Sequence, residues 1–296
     1  MKKNKEEKEE KEKKYIFRKF CIFLVLIIIL LVLYSRYVGV KGLIVKEYKI
    51  ETSYLPSNFN GLKIAHFSDL YYKNTTDESD LEKLKNKINE LKPDIIVFTG
   101  NLYSSEFKLK GKDKEVLITF LNSLEATTGK YAVKGKNDFK IDYEEILKSS
   151  SFTLLDNSYE LVYYKGLTPI FIGGVPSTTK DTLDLEKLFA YYKAGEEVVK
   201  TAKYKIVISS EGNVFKNILE YDNTVNLMLG GASLNGSVQV PFYGPLYLPK
   251  NTDKYYAPHY ELDSKEIFIS SGIGTDKIKF RFNNKPSFNF YRFWSI

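Results

Sequence analysis

A run of fifteen uncharged residues, Phe20 to Tyr34 (FCIFLVLIIILLVLY), constrains this chain more than any other stretch. Large apolar side chains fill it on every face, leaving none of the polar stripe that a surface helix of a soluble domain carries. Fifteen helical residues rise about 22 Å, against a bilayer hydrocarbon core of about 30 Å. Tyr15 to Phe17 and Tyr37 to Val40 extend the run, while Arg18, Lys19 and Arg36 snorkel towards the headgroups. The competing reading is a signal-peptide core, which a small-x-small cleavage site would follow. YSRYVGVKG offers no such site, which favours an uncleaved signal anchor over residues 15–38.

The lysines set the orientation. Residues 1–14 form a charged tail, expected to be disordered and to stay cytoplasmic, so the chain beyond the span is expected outside. The formal charge of the 296-residue chain is +7, and residues 1–19 hold nine Lys or Arg against five Glu. The remainder is close to neutral, which argues against a phosphate-backbone partner, so the expected partner is the membrane lipid bilayer and no nucleic acid. Cys21 lies in the span, and the rest of the chain is free of cysteine, as an oxidising exterior allows.

Residues 39–60 read as a connecting segment with a strand near Ile44 to Thr52 at a sheet edge, ended by Pro56 and the turn formers Ser57, Asn58 and Asn60. Residues 61–296 read as one domain. LKIAHF is a buried strand; Leu81, Leu84, Ile88 and Leu91 share one helical face; Pro93 ends that helix and DIIVF comes next as a strand. The rhythm recurs with a helix over Val116 to Leu124, a strand over Lys130 to Val133, a helix over Tyr143 to Ser149, and strands near Glu160 to Tyr164 and Pro169 to Gly173. One or two helices are predicted within Leu183 to Thr201, and strands at Lys205 to Ser209 and Val225 to Leu229. Glu266 to Ser270 and Lys277 to Phe282 read as a closing hairpin. Such alternation implies helices flanking central sheets.

Five loops each come directly after a short apolar run: SDLYY (Ser68 to Tyr72), TGNLY (Thr99 to Tyr103), GKNDF (Gly135 to Phe139), ISSEGN (Ile208 to Asn213) and GGASLNGSVQVP (Gly230 to Pro241). With the surrounding LKPDIIVFTGNL, GKYAVKGKND, SVQVPFYGPLYLP and SSGIGTDKIKFRFNNKP, they resemble the calcineurin-like metallophosphoesterases, specifically the membrane-anchored bacterial branch. That resemblance covers residues from about Gly61 onward. It implies an α/β (α+β) fold with two stacked mixed β-sheets flanked by helices, a four-layer sandwich. It also implies two divalent metals (Mn, Fe, Zn or Mg), held by DxH, GD, GNHD, a lone His and GHTH in the five loops.

Carried over by position, the ligands of the first metal become Asp69, Tyr71, Asn101 and Leu234, with Asn101 in the place of the bridging carboxylate. Those of the second become Asn101, Lys136, Ser210 and Ala232. The family's general acid becomes Asn137, whose amide has no proton to give at neutral pH. Asp138 matches the last residue of GNHD, which supports its neighbours. Asp69 is the one strong ligand left and Asn101 the only other plausible one, so no cofactor and no intact catalytic residue are expected. His66, inside the apolar run, reads as a core histidine and His259 as a surface-loop residue. Lys136 either pairs with Asp69, replacing the metal's charge, or points to solvent.

Three roles remain open. The chain is a non-catalytic member, a pseudoenzyme, with a binding or scaffolding role at the cell envelope, its old cleft lined by Tyr71, Tyr72, Tyr103, Asn101, Asn137, Asn213 and Ser210. Alternatively it is a residual metal-dependent hydrolase of phosphate esters or lipid head groups. Thirdly, the aromatic terminus FNFYRFWSI serves a membrane complex, or simply forms a terminal strand.

Overall fold

The computed structural model describes residues 2–104, 106–178, 182–190 and 202–296. Helix α1 (Lys2–Leu33) continues through a π-helical turn, Tyr34–Val38, into strand β1 (Ile44–Thr52). Next come β2 (Lys63–Phe67), α2 (Glu78–Leu91), β3 (Ile95–Phe98), α3 (Gly111–Asn122), β4 (Gly129–Ala132), α4 (Tyr143–Lys148), β5 (Thr153–Leu154) and β6 (Ser158–Val162). The second half holds β7 (Ile170–Val175), α5 (Leu185–Leu188), β8 (Lys205–Glu211), α6 (Val214–Tyr221), β9 (Leu227–Gly231), β10 (Gln239–Val240), β11 (Gly244–Pro245), β12 (His259–Leu262), β13 (Lys265–Ile269) and β14 (Ser287–Ser295).

Two mixed six-stranded sheets result, ordered β1-β14-β2-β3-β4-β5 and β12-β13-β9-β8-β7-β6. Strand alternation sorts their side chains. Ile64, Ile95 and Val97 of the first sheet meet Ile172, Ile206 and Leu229 of the second in a shared core between the sheets. The opposite faces turn outward: Ala65, Phe67, Ile96 and Phe98 pack with Leu84, Ile88, Leu117, Phe120 and Ile146 of α2, α3 and α4. Phe171, Val207 and Met228 pack with Leu188, Phe215 and Ile218 of α5 and α6. This is the four-layer sandwich with helices outside.

Helix α2 starts where a capping box fixes it. Asp77 accepts from the Asp80 amide and Asp80 from the Asp77 amide, while Lys41 bonds both carboxylates at 2.8 and 2.6 Å. That clamp also ties the connecting segment to the domain. The end of α1 is tied by the Arg281 amide, which donates to the Ser35 carbonyl at 3.0 Å. Gly39 is obligatory there, because a Cβ would lie 1.9 Å from the Arg281 carbonyl oxygen.

Several sequence expectations shift. The stretch expected to be unfolded, from Lys2 onward, is helical; Lys and Glu are good helix formers, and Glu10 pairs with Lys14 at 2.7 Å. The closing hairpin is β12–β13, not Glu266 to Ser270 with Lys277 to Phe282. Lys277 to Phe282 runs irregularly, because Arg281 turns inward and Phe282 bridges to Val238. Strand β5 and helix α6 were too short to announce themselves. Within Leu183 to Thr201 the helix α5 forms, and residues 191–201 lie outside the described residues.

The aromatic C-terminus is an interior strand. β14 pairs in parallel with β1 and antiparallel with β2, and Phe288, Phe290, Tyr291 and Phe293 are buried. Removal of residues 288–296 is therefore expected to abolish folding of the domain, read as loss of a cooperative thermal transition in the purified protein. His66, also buried, bonds Tyr291 Oη at 3.2 Å and Thr99 Oγ1 at 3.0 Å. Burial lowers its pKa from 6.5 to about 3. Between those values the unfolded chain binds a proton that the folded chain refuses, so stability falls as pH falls, by about 1.4 kcal/mol per unit. A His66→Gln variant is expected to lose that component of the slope in acid titrations followed by circular dichroism.

Candidate functional site

Loops at the carboxyl ends of β2, β3, β4 and β9 converge, the usual place for a ligand site in an open α/β sheet. The backbone there is unusual. Asp69, Tyr71, Asn101, Ala232 and Leu234 all have positive φ, at 56°, 43°, 61°, 60° and 53°. Left-handed conformations cost non-glycine residues free energy and persist only where the surroundings over-determine them. These are the places where the resemblance puts metal ligands.

What over-determines them is a hydrogen-bond network around one carboxylate. Asp69 is fully buried and accepts from Ser68 Oγ at 2.5 Å, Asn101 Nδ2 at 2.8 Å and the Ala232 amide at 2.9 Å. Asn101 Oδ1 in turn accepts from the Asn137 amide at 3.3 Å. The amide thus joins loops one and three through hydrogen bonds, in the position where the family has a bridging carboxylate. Gly135 must be glycine, since a Cβ would lie 2.5 Å from Asn101 Oδ1. Asp138 pins the loops from behind, accepting from the amides of Asn101 (2.7 Å), Leu102 (2.8 Å) and Gly135 (2.7 Å). Its supporting role is as expected.

Charge balance comes from a residue that the ligand pattern did not single out. Lys136 is exposed and its charge acts on Asp276; it does not face Asp69. Of the two readings of Lys136, the one that points it to solvent therefore holds, and the positive charge that acts on Asp69 is that of Arg281. That guanidinium is buried, and its Nη2 donates to the carbonyls of Ser271 (2.7 Å), Gly272 (3.0 Å) and Gly274 (2.8 Å). Burial lowers the Arg281 pKa to about 10, while the Asp69 charge opposes the shift. Burial raises the Asp69 carboxyl, and its three donors and Arg281 hold it down. Asp138 is pushed up to about 7 by the same desolvation, against three donated amides. The signal for Arg281 in the sequence was a lone arginine amid the apolar alternation KFRF, inside the stretch SSGIGTDKIKFRFNNKP that contributes to the resemblance.

The residues present do not fit a two-metal centre. Both Asp69 oxygens are engaged by protein donors, Asn101 turns its nitrogen to Asp69, and Ala232 and Leu234 offer no donor atom. Among the described residues, no group of three or more His, Cys, Asp or Glu converges. Ser210 Oγ and Asn137 Nδ2 are buried without a protein partner among the described residues. Nearby Glu211 is engaged in holding loop four, accepting from Ser177 Oγ (2.5 Å) and from Thr178 through its amide (3.1 Å) and hydroxyl (2.8 Å).

The expected tyrosine- and amide-lined cleft is not formed. Tyr71 and Leu234 are buried and fill it, and burial with the nearby carboxylates keeps the Tyr71 phenol protonated. Tyr72 and Tyr103 instead join the helix-facing core, where Tyr103 Oη donates to Asp113 at 3.3 Å, and Asn213 bonds Asp253 at the surface. The space beside Leu234 and Asp276 is about 20 Å³, room for one water. His259 is surface-exposed, but on a strand, paired with Glu266 at 3.0 Å and stacked on Phe268.

No family model matches the chain. It is similar to the uncharacterized metallophosphoesterase YkuE of Bacillus subtilis, at 27% identity over 257 residues covering 86% of each chain. It is also similar to a zebrafish transmembrane protein with metallophosphoesterase domain, at 26% identity over 237 residues, 72% of this chain and 52% of the relative. A shorter stretch of 88 residues is 39% identical to the UDP-2,3-diacylglucosamine pyrophosphatase LpxG of Chlamydia trachomatis, 29% of this chain and 26% of that one.

The buried charges stand or fall together. Arg281→Met is expected to destabilise the fold, because it leaves the carbonyls of Ser271, Gly272 and Gly274 without their donor, at about 1–3 kcal/mol for a buried group left unpaired, and removes the positive charge that acts on Asp69. Asp69→Asn is expected to destabilise as well, and the double variant to be less unstable than the sum, by about 0.5–3 kcal/mol. Urea unfolding of the full chain in detergent measures all three; strict additivity would show that the two charges do not interact.

Proposed function

Because the chain belongs to the calcineurin-like metallophosphoesterase family, we propose that it is a membrane-anchored, catalytically degenerate member with a binding or scaffolding role at the cell envelope. The observation that carries this reading is the Asp69 site closed by protein hydrogen bonds, with Arg281 as its cation, where the family has metal-ligating loops. A fold retained without its chemistry is consistent with function lying in the site and not in the scaffold. Helix α1 supports the anchoring: the stretch Glu10–Val38 is long and apolar enough to cross a bilayer. The lysine-rich start of the chain supports a cytoplasmic N-terminus and a domain on the outer side.

A second reading, residual hydrolysis of phosphate esters or lipid head groups near the membrane, is favoured by the stretch shared with a relative named as a pyrophosphatase. The two separate in one experiment on the purified full chain in detergent. After equilibration with manganese and desalting, elemental analysis is expected to find well below one metal per chain, and neither an aryl phosphate nor a nucleotide-sugar pyrophosphate to be turned over above background. One manganese per chain that disappears in Asp69→Ala, or turnover that the same substitution abolishes, would establish the hydrolase instead.

A further inference from the structure

The hairpin that leaves the fifth loop lies alongside the membrane-spanning helix. Ile28, Leu31 and Val32 of α1 form one wall of an apolar groove of about 660 Å³, and Val240, Pro241 and Leu246 of the β10–β11 hairpin form part of the other. Ile28 lies two helical turns before Ser35, about 10 Å further along the axis. It sits in the middle of the run Phe20 to Tyr34. If that run is in hydrocarbon, whatever flanks Ile28 is at the same depth.

The hairpin is built for that depth. From Gly236 to Leu248 no residue is charged. At its tip Phe242 and Tyr243 are 112% and 75% exposed, and Leu246 is 60% exposed, surfaces that gain nothing in water. Several of its backbone donors are satisfied or missing: the Gln239, Tyr243 and Leu246 amides donate to the carbonyls of Phe282, Val240 and Val238, and Pro241 and Pro245 have none. Lipid demands that economy of any non-helical backbone. The position relative to α1 is fixed by the Arg281–Ser35 bond and by Phe282, whose ring meets Tyr34 edge-on at 6.4 Å.

We propose that the β10–β11 hairpin is a second membrane-seated element, its Phe242–Tyr243 tip in the leaflet on the domain's side and lipid acyl chains filling the groove between hairpin and α1. This rests on the reading that α1 spans the bilayer. Continuity identifies the groove's occupant, since one of its walls is itself the lipid-facing surface of the span. The closed Asp69 site is thereby brought next to the membrane, because Leu234 and the hairpin belong to the same loop.

The test uses full-length protein in a Cys21→Ser background, carrying single cysteines at Phe242→Cys (tip), Val240→Cys (groove), Leu26→Cys (span) or Leu167→Cys (an exposed turn of the second sheet). Each is labelled with an environment-sensitive fluorophore and reconstituted into phosphatidylcholine vesicles containing lipid with a nitroxide on the acyl chain. Quenching at positions 242 and 240 is expected to approach that at 26 and to exceed that at 167 several-fold. Quenching at 26 with either 242 or 240 at the level of 167 would overturn the proposal and leave the spanning helix standing. Absence of quenching at 26 would remove the spanning reading itself, and the proposal with it.

Discussion

The interior of this fold is organised around one negative charge. Burying a carboxylate is prohibitively costly unless donors and an opposite charge surround it. Asp69 has both, with Ser68, Asn101 and the Ala232 amide at bonding distance and the Arg281 guanidinium as the nearby cation. Each partner comes from a different loop or strand end. Satisfying the charge therefore fixes how loops one, two and five meet, and Asp138 fixes loops two and three by the same means. The left-handed residues of the site persist because this network holds them.

That network holds together the loops in which the resemblance puts metal ligands. A divalent ion would neutralise carboxylates and draw several loops together; here Asn101 supplies the link between loops and Arg281 the charge. Leu234 and Tyr71 take up the space. Arg281 does a second task, since its backbone amide holds the end of α1. The residue that completes the closed site is thus also one that docks the domain against the helical segment, which couples the interior of the domain to that segment.

Much of the layered fold was written in residue order. The apolar runs LKIAHF and DIIVF, and the helical spacing of Leu81, Leu84 and Ile88, survive in the fold as buried strands and a core-facing helix with small boundary changes. The family of the loops was equally legible, because order and context of short motifs are local properties. Less legible was everything that depends on which distant segments meet. Lys136 stands at a ligand position in the sequence, yet its long side chain is exposed to solvent; Arg281, far away in sequence, is buried at the site, just before β14 runs between β1 and β2 of the first sheet. The cleft expected from tyrosines and amides failed for the same reason, as Tyr72 and Tyr103 turned to the helices and Tyr71 inward.

By itself the sequence determined the apolar span, the alternating helices and strands, and the poverty of imidazole and thiolate donors, with two histidines and one cysteine among 296 residues. Only the tertiary structure decided which cation faces Asp69, that the aromatic terminus is an interior strand, and that an uncharged hairpin lies beside the span. Composition and periodicity are carried by neighbours along the chain, whereas a buried charge finds its partner, and a strand its place in a sheet, only once remote segments have been brought together.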